Sequence, residues 1–253
     1  MALKRKKSYQ REKNKIFLAK DRNNNFIKKK LIKTPSQCDI IVLIGQSNSA
    51  NAVISDKYPI SRHLNYFNKK TYQLSNPVLG CDGDKDNVAP AIADKLKSKK
   101  PVIFLTNGWG GTSIYDWSHS KSMLTSYVRN NLKELTKSHL LKYIIWIQGE
   151  SDNNTDVDYV KEFNLFRENL FKGISKDKYQ KSKFIITQTS VCVSDRDEIL
   201  NKQQKKLAQK NKVFITNVTD NLDLNYRFDQ CHYNKFGTEK IAKEISKIIN
   251  KAS

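Results

Sequence analysis

Three short polar segments and one aspartate–histidine pair hold the residues of this 253-residue chain that could do chemistry. Ser47 stands between Gly-Gln and Asn directly after an apolar run, where a serine can expose its hydroxyl and its backbone N–H together. Such a residue can supply a nucleophile and one donor to an oxyanion. Ser and Asn after a strand are also common helix N-caps, so a capping role stays open for the segment taken alone.

The aspartate–histidine pair lies near the end of the chain, where Asp229 precedes His232 by three residues. At that spacing the carboxylate can fold back onto ring Nδ1 and fix the tautomer of the imidazole. Nε2 is then free to take a proton from a serine hydroxyl. A surface histidine near the start of a helix is the alternative interpretation.

The other two polar segments also follow apolar runs. In NGWGGTSI, residues 107–114, Gly110 and Gly111 let the backbone approach a ligand closely. This segment lacks the GKS/T of a P-loop and the GxGxxG order of a dinucleotide fold, which disfavours phosphate binding. In QGESD, residues 148–152, Gln148 could donate an amide N–H to an oxyanion.

Acidic residues raise two further chemistries. Glu150 and Asp152 form a carboxylate pair, as in glycoside hydrolysis. However, residues two apart on an extended segment point to opposite faces, so we expect Glu150 to orient loops by hydrogen bonding. The stretch DGDKDN, residues 82–87, suggests a calcium loop, but the twelfth position falls on Ala93 instead of a glutamate, and we interpret it as a polar loop.

The elements that must position these residues are predicted from apolar patterning. Short apolar runs predict strands at residues 39–44, 101–106, 142–147, 183–187 and 212–216. Helical periodicity predicts helices at residues 88–97, 123–137, 157–171, 196–210 and 235–250. The alternation indicates an α/β protein, a three-layer α/β/α sandwich with a five-stranded parallel sheet. Ligand sites in such sheets lie at the carboxyl ends of strands, which is where the polar segments fall.

The formal net charge of +21 is unevenly distributed, because residues 1–33 alone carry a net +11. We predict a basic N-terminal arm over residues 1–36 and one domain over residues 37–253. The arm has no Arg/Gly/aromatic interleaving and precedes no nucleic-acid-binding motif. This favours a solvated leader, while contact of residues 1–33 with an anionic polymer or surface stays open. No apolar run is long enough for a membrane span.

The four cysteines, at positions 38, 81, 192 and 231, contain no CxxC pair, so no zinc ribbon is expected. Their number in a chain of this length predicts ordinary thiols and mildly favours a reducing compartment. No secretory signal is visible, which makes a cytoplasmic location the default expectation. An extracellular role remains open if a leader has been trimmed.

Four segments resemble, in order, the sequence blocks of the SGNH hydrolases: GQSN (45–48), GGTSI (110–114), QGESD (148–152) and DQCH (229–232). Over about residues 39–250 the chain is most similar to the sialate O-acetylesterase-like branch of carbohydrate esterases. The resemblance implies a flavodoxin-like fold and a serine esterase that removes O-acetyl groups from sialic acid or another glycan through an acetyl-enzyme intermediate. It implies no metal or organic cofactor.

The resemblance also implies residue roles, with Ser47 as nucleophile, His232 as general base and Asp229 as its orienter. The oxyanion hole would combine the Ser47 N–H, the N–H of Gly110 or Gly111, and the Gln148 amide, where the general SGNH pattern has Asn. The residues expected to support the site are Gln46, Asn48, Thr112 and Glu150. Three aromatic residues could stack on a sugar or simply pack in the core, namely Trp109, Tyr115 and Trp117.

Two other functions remain open at this stage. A glycan O-acetyltransferase would pass the acetyl group to a second sugar through the same residues. A glycan- or nucleic-acid-binding protein could retain only a vestigial hydrolase site, although the joint presence of Ser47, Asp229 and His232 argues against this.

Overall fold

The computed structural model describes residues 29–209, 212–216 and 219–251. Most of the predicted basic arm, residues 1–28, lies outside these ranges, as does residue 210 at the predicted end of a helix. Residues 30–32 lie beside the sheet, where the Ile32 N–H donates to the Thr71 carbonyl and the Gln73 N–H donates to the Lys30 carbonyl, both at 2.9 Å. The domain boundary at residue 36 stays a prediction.

A mostly parallel sheet forms the middle of the protein, as its apolar runs predict. In the order β3-β2-β4-β1-β5-β6-β7, all neighbours are parallel except β2 and β3, which form an antiparallel pair. The strands are β1 Asp39–Gly45, β2 Leu64–Phe67, β3 Lys70–Gln73, β4 Val102–Gly108, β5 Leu140–Ile147, β6 Lys183–Thr187 and β7 Val213–Thr216.

Helices cover both faces of this sheet. They are α1 Val88–Asp94, α2 Ile114–Ser118, α3 Met123–Leu135, α4 Tyr159–Phe171, α5 Lys176–Tyr179, α6 Glu198–Leu207 and α7 Lys235–Lys251. Five of them begin after a side chain that accepts a hydrogen bond from a backbone N–H of the first turn, which fixes where each helix starts; these caps are Asn87, Ser122, Asp158, Asp197 and Asn234.

The two core layers follow from the alternation of side chains along each strand. On β1, Ile40 and Val42 pack with α2, α3, α4 and α6, whereas Ile41 and Leu43 pack with α1 and α7 on the other face. Because the central strands are buried on both faces, they are apolar without alternation. The predicted three-layer α/β/α sandwich is therefore confirmed.

The sheet has two more strands than the five predicted. The additional pair, β2 and β3, is a hairpin whose turn residues Asn68 and Lys69 both have positive φ. These strands are only four residues long and contain the polar residues Asn65 and Lys70, so they lack the continuous apolar run that marks the others. The short helices α2 and α5 were missed for a similar reason, because five or four residues do not establish a helical period.

The order of the strands places a crevice beside β1. The chain passes from β1 through the hairpin to β4 on one side of β1, and later to β5 on the other side. Crevices that hold ligands in open α/β sheets lie where the strand order reverses in this way. The polar segments after β1, β4 and β5 therefore meet at one place.

Gly45 ends β1 in a conformation that only glycine fits. Its φ is +139°, and a Cβ there would lie 1.9 Å from the Ile147 carbonyl oxygen on β5. We expect Gly45→Ala to lower the free energy of unfolding by about 3 kcal/mol or more, through backbone strain and overpacking together. Gly173→Ala is the matched control, since Gly173 has φ +69° but faces the flexible end of Lys133. Equal losses for the two variants in urea titrations would contradict this explanation.

Candidate active site

Ser47 and the glycine loop after β4 lie against each other. Ser47 opens the 3-10 turn Ser47–Ser49 at the end of β1 and is buried. A Cβ built on Gly110 would lie 3.7 Å from the Cβ of Ser47, so the backbone of Gly110 borders the serine side chain. Within the described residues, the N–H groups of Ser47, Gly110 and Gly111 donate no hydrogen bond to the protein. These are the donors that an oxyanion beside Ser47 would meet.

The predicted aspartate–histidine pair is formed after the last strand. His232 Nδ1 lies 2.7 Å from Asp229 Oδ2, and Asp229 Oδ1 accepts from the backbone N–H of His232 at 2.7 Å and of Cys231 at 3.1 Å. Partial burial acts to raise the pKa of Asp229, but the hydrogen bonds from His232 and Cys231 outweigh it and lower the pKa below its usual value. The carboxylate is thus kept charged beside the ring.

Asn48 connects the serine turn to the histidine loop. Its Nδ2 donates to Glu150 Oε1 at 2.7 Å and to the Cys231 carbonyl at 3.3 Å, and its Oδ1 accepts from the Tyr233 N–H at 3.2 Å. Cys231 and Tyr233, the neighbours of His232, are therefore both hydrogen-bonded to Asn48, the residue after Ser47. Among the described residues, the side chains of Ser47 and His232 make no hydrogen bond with each other.

The Gln148 amide is engaged within the protein. Its Nε2 donates to the Thr112 carbonyl at 3.1 Å and to Asp152 Oδ2 at 2.5 Å, while its Oε1 accepts from the Tyr159 hydroxyl at 2.7 Å. Gln46 acts on the same loop, because its Oε1 accepts from the N–H groups of residues 149 and 151. In this arrangement Gln148 joins the glycine loop to the loop after β5 and directs neither amide proton at an oxyanion.

The carboxylates of Glu150 and Asp152 are both buried and have separate partners. Residues 150–152 form a 3-10 turn, so the extended geometry expected from the sequence is wrong here. Burial raises the pKa of Glu150, opposed by the hydrogen bond from Asn48 and by the charge of Arg227. Burial also raises the pKa of Asp152 to about 7, although its Oδ2 accepts from Gln148 and from the Ile114 N–H at 2.8 Å.

The aromatic residues divide between the core and the surface. Trp109 and Trp117 are fully buried, with ring centroids 5.5 Å apart, whereas Tyr115 is 49% exposed. Sequence reasoning missed Phe228, which is 38% exposed. Its ring stacks on the His232 ring with the two centroids 5.9 Å apart, and Lys85 Nζ lies 5.4 Å from the Phe228 centroid. Its place directly before Asp229 is the signal that could have revealed it.

The DGDKDN stretch lies at the site, since a Cβ on Gly110 would be 3.5 Å from Asp82 Oδ2.

The expectation of four ordinary thiols is wrong, because Cys192 and Cys231 form a disulfide and only the thiols of Cys38 and Cys81 are free. Spacing rules missed this bond, since it joins loops 39 residues apart that only the fold brings together.

An α/β/α sandwich with a serine turn after its central strand and an Asp–His pair after its last strand has the architecture of an SGNH-type hydrolase. The chain belongs to the carbohydrate esterase family described as sialic acid-specific acetylesterases, whose sequence model matches residues 37–251. The predictions of the family, and of an enzyme that hydrolyses esters on carbohydrates, are thereby confirmed. No curated protein sequence matches the chain.

Solved structures share this fold at low sequence identity. A protein from Arabidopsis thaliana is 19% identical with a TM-score of 0.68, over 85% of this chain and 98% of that one. A carbohydrate acetylesterase from Sinorhizobium meliloti is 12% identical with a TM-score of 0.54, over 85% and 100%. A catalytic mutant of an acetylxylan esterase from Geobacillus stearothermophilus is 10% identical with a TM-score of 0.52, over 85% and 95%.

None of the helices in the described part of the chain is long and apolar enough to cross a bilayer. This agrees with the hydropathy of the sequence, in which no long apolar run occurs.

The raised pKa of Asp152 predicts a pH-dependent difference in stability. Between about pH 4 and pH 7 the folded protein keeps a proton on Asp152 that the unfolded chain has already lost. The contribution of Asp152 to stability therefore falls as pH rises through this interval. Asp152→Asn removes the titration and keeps an oxygen acceptor. We expect the unfolding free energy of the variant, relative to wild type, to rise by about 2–4 kcal/mol from pH 4 to pH 8 in denaturant titrations.

The exposed Asp84→Asn is the reference for loss of one carboxylate. A difference between Asp152→Asn and wild type that stays constant with pH would contradict the buried titration.

Proposed function

We propose that this protein is a serine esterase that removes O-acetyl groups from a carbohydrate through Ser47, His232 and Asp229. The observation that carries the proposal is the bridge formed by Asn48, which holds the Asp229–His232 pair beside the turn that begins with Ser47. A nucleophile, a base and an orienting carboxylate are thus assembled from loops that lie far apart in the sequence.

The reaction begins when Ser47 Oγ attacks the acetyl carbonyl carbon and His232 Nε2 takes the hydroxyl proton. Asp229, hydrogen-bonded to Nδ1, orients the ring and stabilises the imidazolium. Collapse of the tetrahedral intermediate breaks the bond to the sugar oxygen, which receives the proton from Nε2. Water then attacks the acetyl–Ser47 ester with His232 again as base, and acetate leaves.

The oxyanion is stabilised by the backbone N–H groups of Ser47 and of Gly110 or Gly111, which have no acceptor among the described residues. Gln148 completes this set only by giving up its bond to the Thr112 carbonyl or to Asp152. We therefore assign the backbone donors the main part in the oxyanion hole.

The substrate that we propose is an O-acetylated sialic acid or another O-acetylated glycan. The description of the family supports a sialic acid, and the named neighbours include acetyl esterases of other carbohydrates. Phe228 offers an exposed ring beside His232 on which a sugar face can stack, and Tyr115 offers a second exposed ring.

Hydrolysis is favoured over acetyl transfer to a second sugar because the family whose model matches the chain is described as one of esterases. Acetate release from a panel of O-acetylated glycans, with and without unacetylated acceptors, separates the two reactions. Transfer predicts a new acetylated acceptor in place of free acetate.

The role of Ser47 predicts a loss of esterase activity in a single substitution. We expect Ser47→Ala to lower kcat/KM for an aryl acetate by at least about 10³-fold, because the nucleophile is removed. Ser49→Ala is the matched control in the same turn; its hydroxyl donates to the Gln46 carbonyl, and we expect it to retain most activity. Equal rates for Ser47→Ala and wild type would remove Ser47 from the nucleophile role.

A further inference from the structure

The residue before His232 is covalently joined to a second loop. Cys231 forms a disulfide with Cys192, and their Cα atoms are 4.1 Å apart. Cys192 lies on the loop between β6 and α6, whereas Cys231 lies on the loop that leads into α7. The bond therefore connects the loop of the proposed base to a neighbouring loop that carries none of the proposed catalytic residues.

The Cys192 side of this bond is firmly anchored. Buried Asp220 accepts hydrogen bonds from the Ser190 N–H at 2.8 Å, the Ser190 hydroxyl at 2.5 Å and the Val191 N–H at 3.2 Å. The N–H of Asp197, the cap of α6, donates to the Ser190 hydroxyl at 2.9 Å. Cys192 follows these residues directly, so its sulfur is attached to a fixed part of the backbone.

The Cys231 side has a conformation that needs support. Gln230 has a φ of +66°, a left-handed conformation that non-glycine residues adopt rarely and only where their surroundings hold it. The supports are the hydrogen bonds to the Cys231 carbonyl from Arg227 Nη1 and Asn48 Nδ2, and the bond from the Val193 N–H to the Gln230 carbonyl at 3.3 Å. The last of these depends on the loop that the disulfide brings alongside.

We propose that the Cys192–Cys231 disulfide positions His232 and is a site of reversible thiol–disulfide exchange that controls turnover. The proposal rests on the proposed function, in which His232 is the general base. Cys192 and Cys231 are positioning residues, because they act on the reaction only through the loop that holds the ring. A base displaced by about 1 Å costs up to about 100-fold in rate.

The exchange step needs a dithiol reductant. A thiolate of the dithiol attacks the sulfur of Cys192, a residue that is partly exposed, and Cys231 leaves as a thiolate. The second thiol of the reductant then displaces Cys192. The protein disulfide gains two electrons and two protons and becomes two thiols, while the dithiol becomes a cyclic disulfide.

The test compares oxidised wild type, wild type in dithiothreitol, and the double variant Cys192→Ser with Cys231→Ser. Aryl acetate hydrolysis is measured well below the unfolding temperature of each form, and hydrogen exchange is followed over residues 227–234. We expect kcat to fall about 10- to 100-fold with KM changed less than about threefold, and exchange over residues 227–234 to rise. Removal of dithiothreitol and reoxidation restores the kcat and the exchange protection of oxidised wild type.

The controls separate positioning from general stabilisation and from failure of the proposed function. Dithiothreitol has no further effect on the double variant, which excludes an action of the reductant elsewhere. Unchanged kcat with a lowered unfolding temperature makes the bond purely stabilising and overturns the proposal. Unchanged exchange over residues 227–234 overturns the proposal whether or not esterase activity is found. Absent activity in oxidised wild type, with increased exchange on reduction, overturns the proposed function and with it the control of turnover, while the effect of the bond on the loop of His232 stands.

Discussion

The buried side-chain amide of Asn48 is the interaction on which the arrangement of the site depends. It donates to the Glu150 carboxylate and the Cys231 carbonyl, and it accepts from the Tyr233 N–H. One amide thus joins the turn after β1, the turn after β5 and the loop before α7. Because Ser47 precedes Asn48 and the proposed base lies between Cys231 and Tyr233, these hydrogen bonds hold the turn of the proposed nucleophile against the loop of the proposed base. An unpaired amide at this depth would cost about 1–3 kcal/mol, so the three contacts favour a single arrangement.

The parts of this structure that the sequence predicted are those in which a local pattern and the tertiary environment agree. The inner predicted strands are continuous apolar runs because both faces of the sheet are covered there, whereas the edge strand β7 leaves Phe214 exposed. The four polar blocks were found because they follow strands and sites lie at strand ends. The three-residue spacing of Asp229 and His232 does not by itself identify the pair, since Asp116 precedes His119 by the same three residues. The position of the pair after the last strand distinguishes it.

The missed features depend either on contacts between distant segments or on elements too short to show a period. The disulfide joins loops that only the sheet order brings together, and the hairpin of β2 and β3 is too short to show a period. Trp109 and Trp117 are buried beside and within α2, a helix of five residues that is too short for sequence periodicity to predict. The engagement of Gln148 depends on the Thr112 carbonyl and on a carboxylate four residues away. None of these contacts leaves a periodic or compositional trace in the chain.

The buried carboxylate of Asp152 gives the glycine loop the rigidity that its sequence lacks. Gly110 and Gly111 lose more conformational freedom than other residues when they are ordered, so they need external supports. Asp152 supplies one by accepting from the Ile114 N–H at the start of α2, and it holds Gln148, whose amide also donates to the Thr112 carbonyl. The loop is thereby fixed on the side where it leads into α2, and its free N–H groups point from a fixed backbone. Donors that are already in place stabilise an oxyanion without reorganisation, which is the condition under which they accelerate acyl transfer most. The burial that raises the pKa of Asp152 is therefore a consequence of the same packing that orders the proposed oxyanion hole.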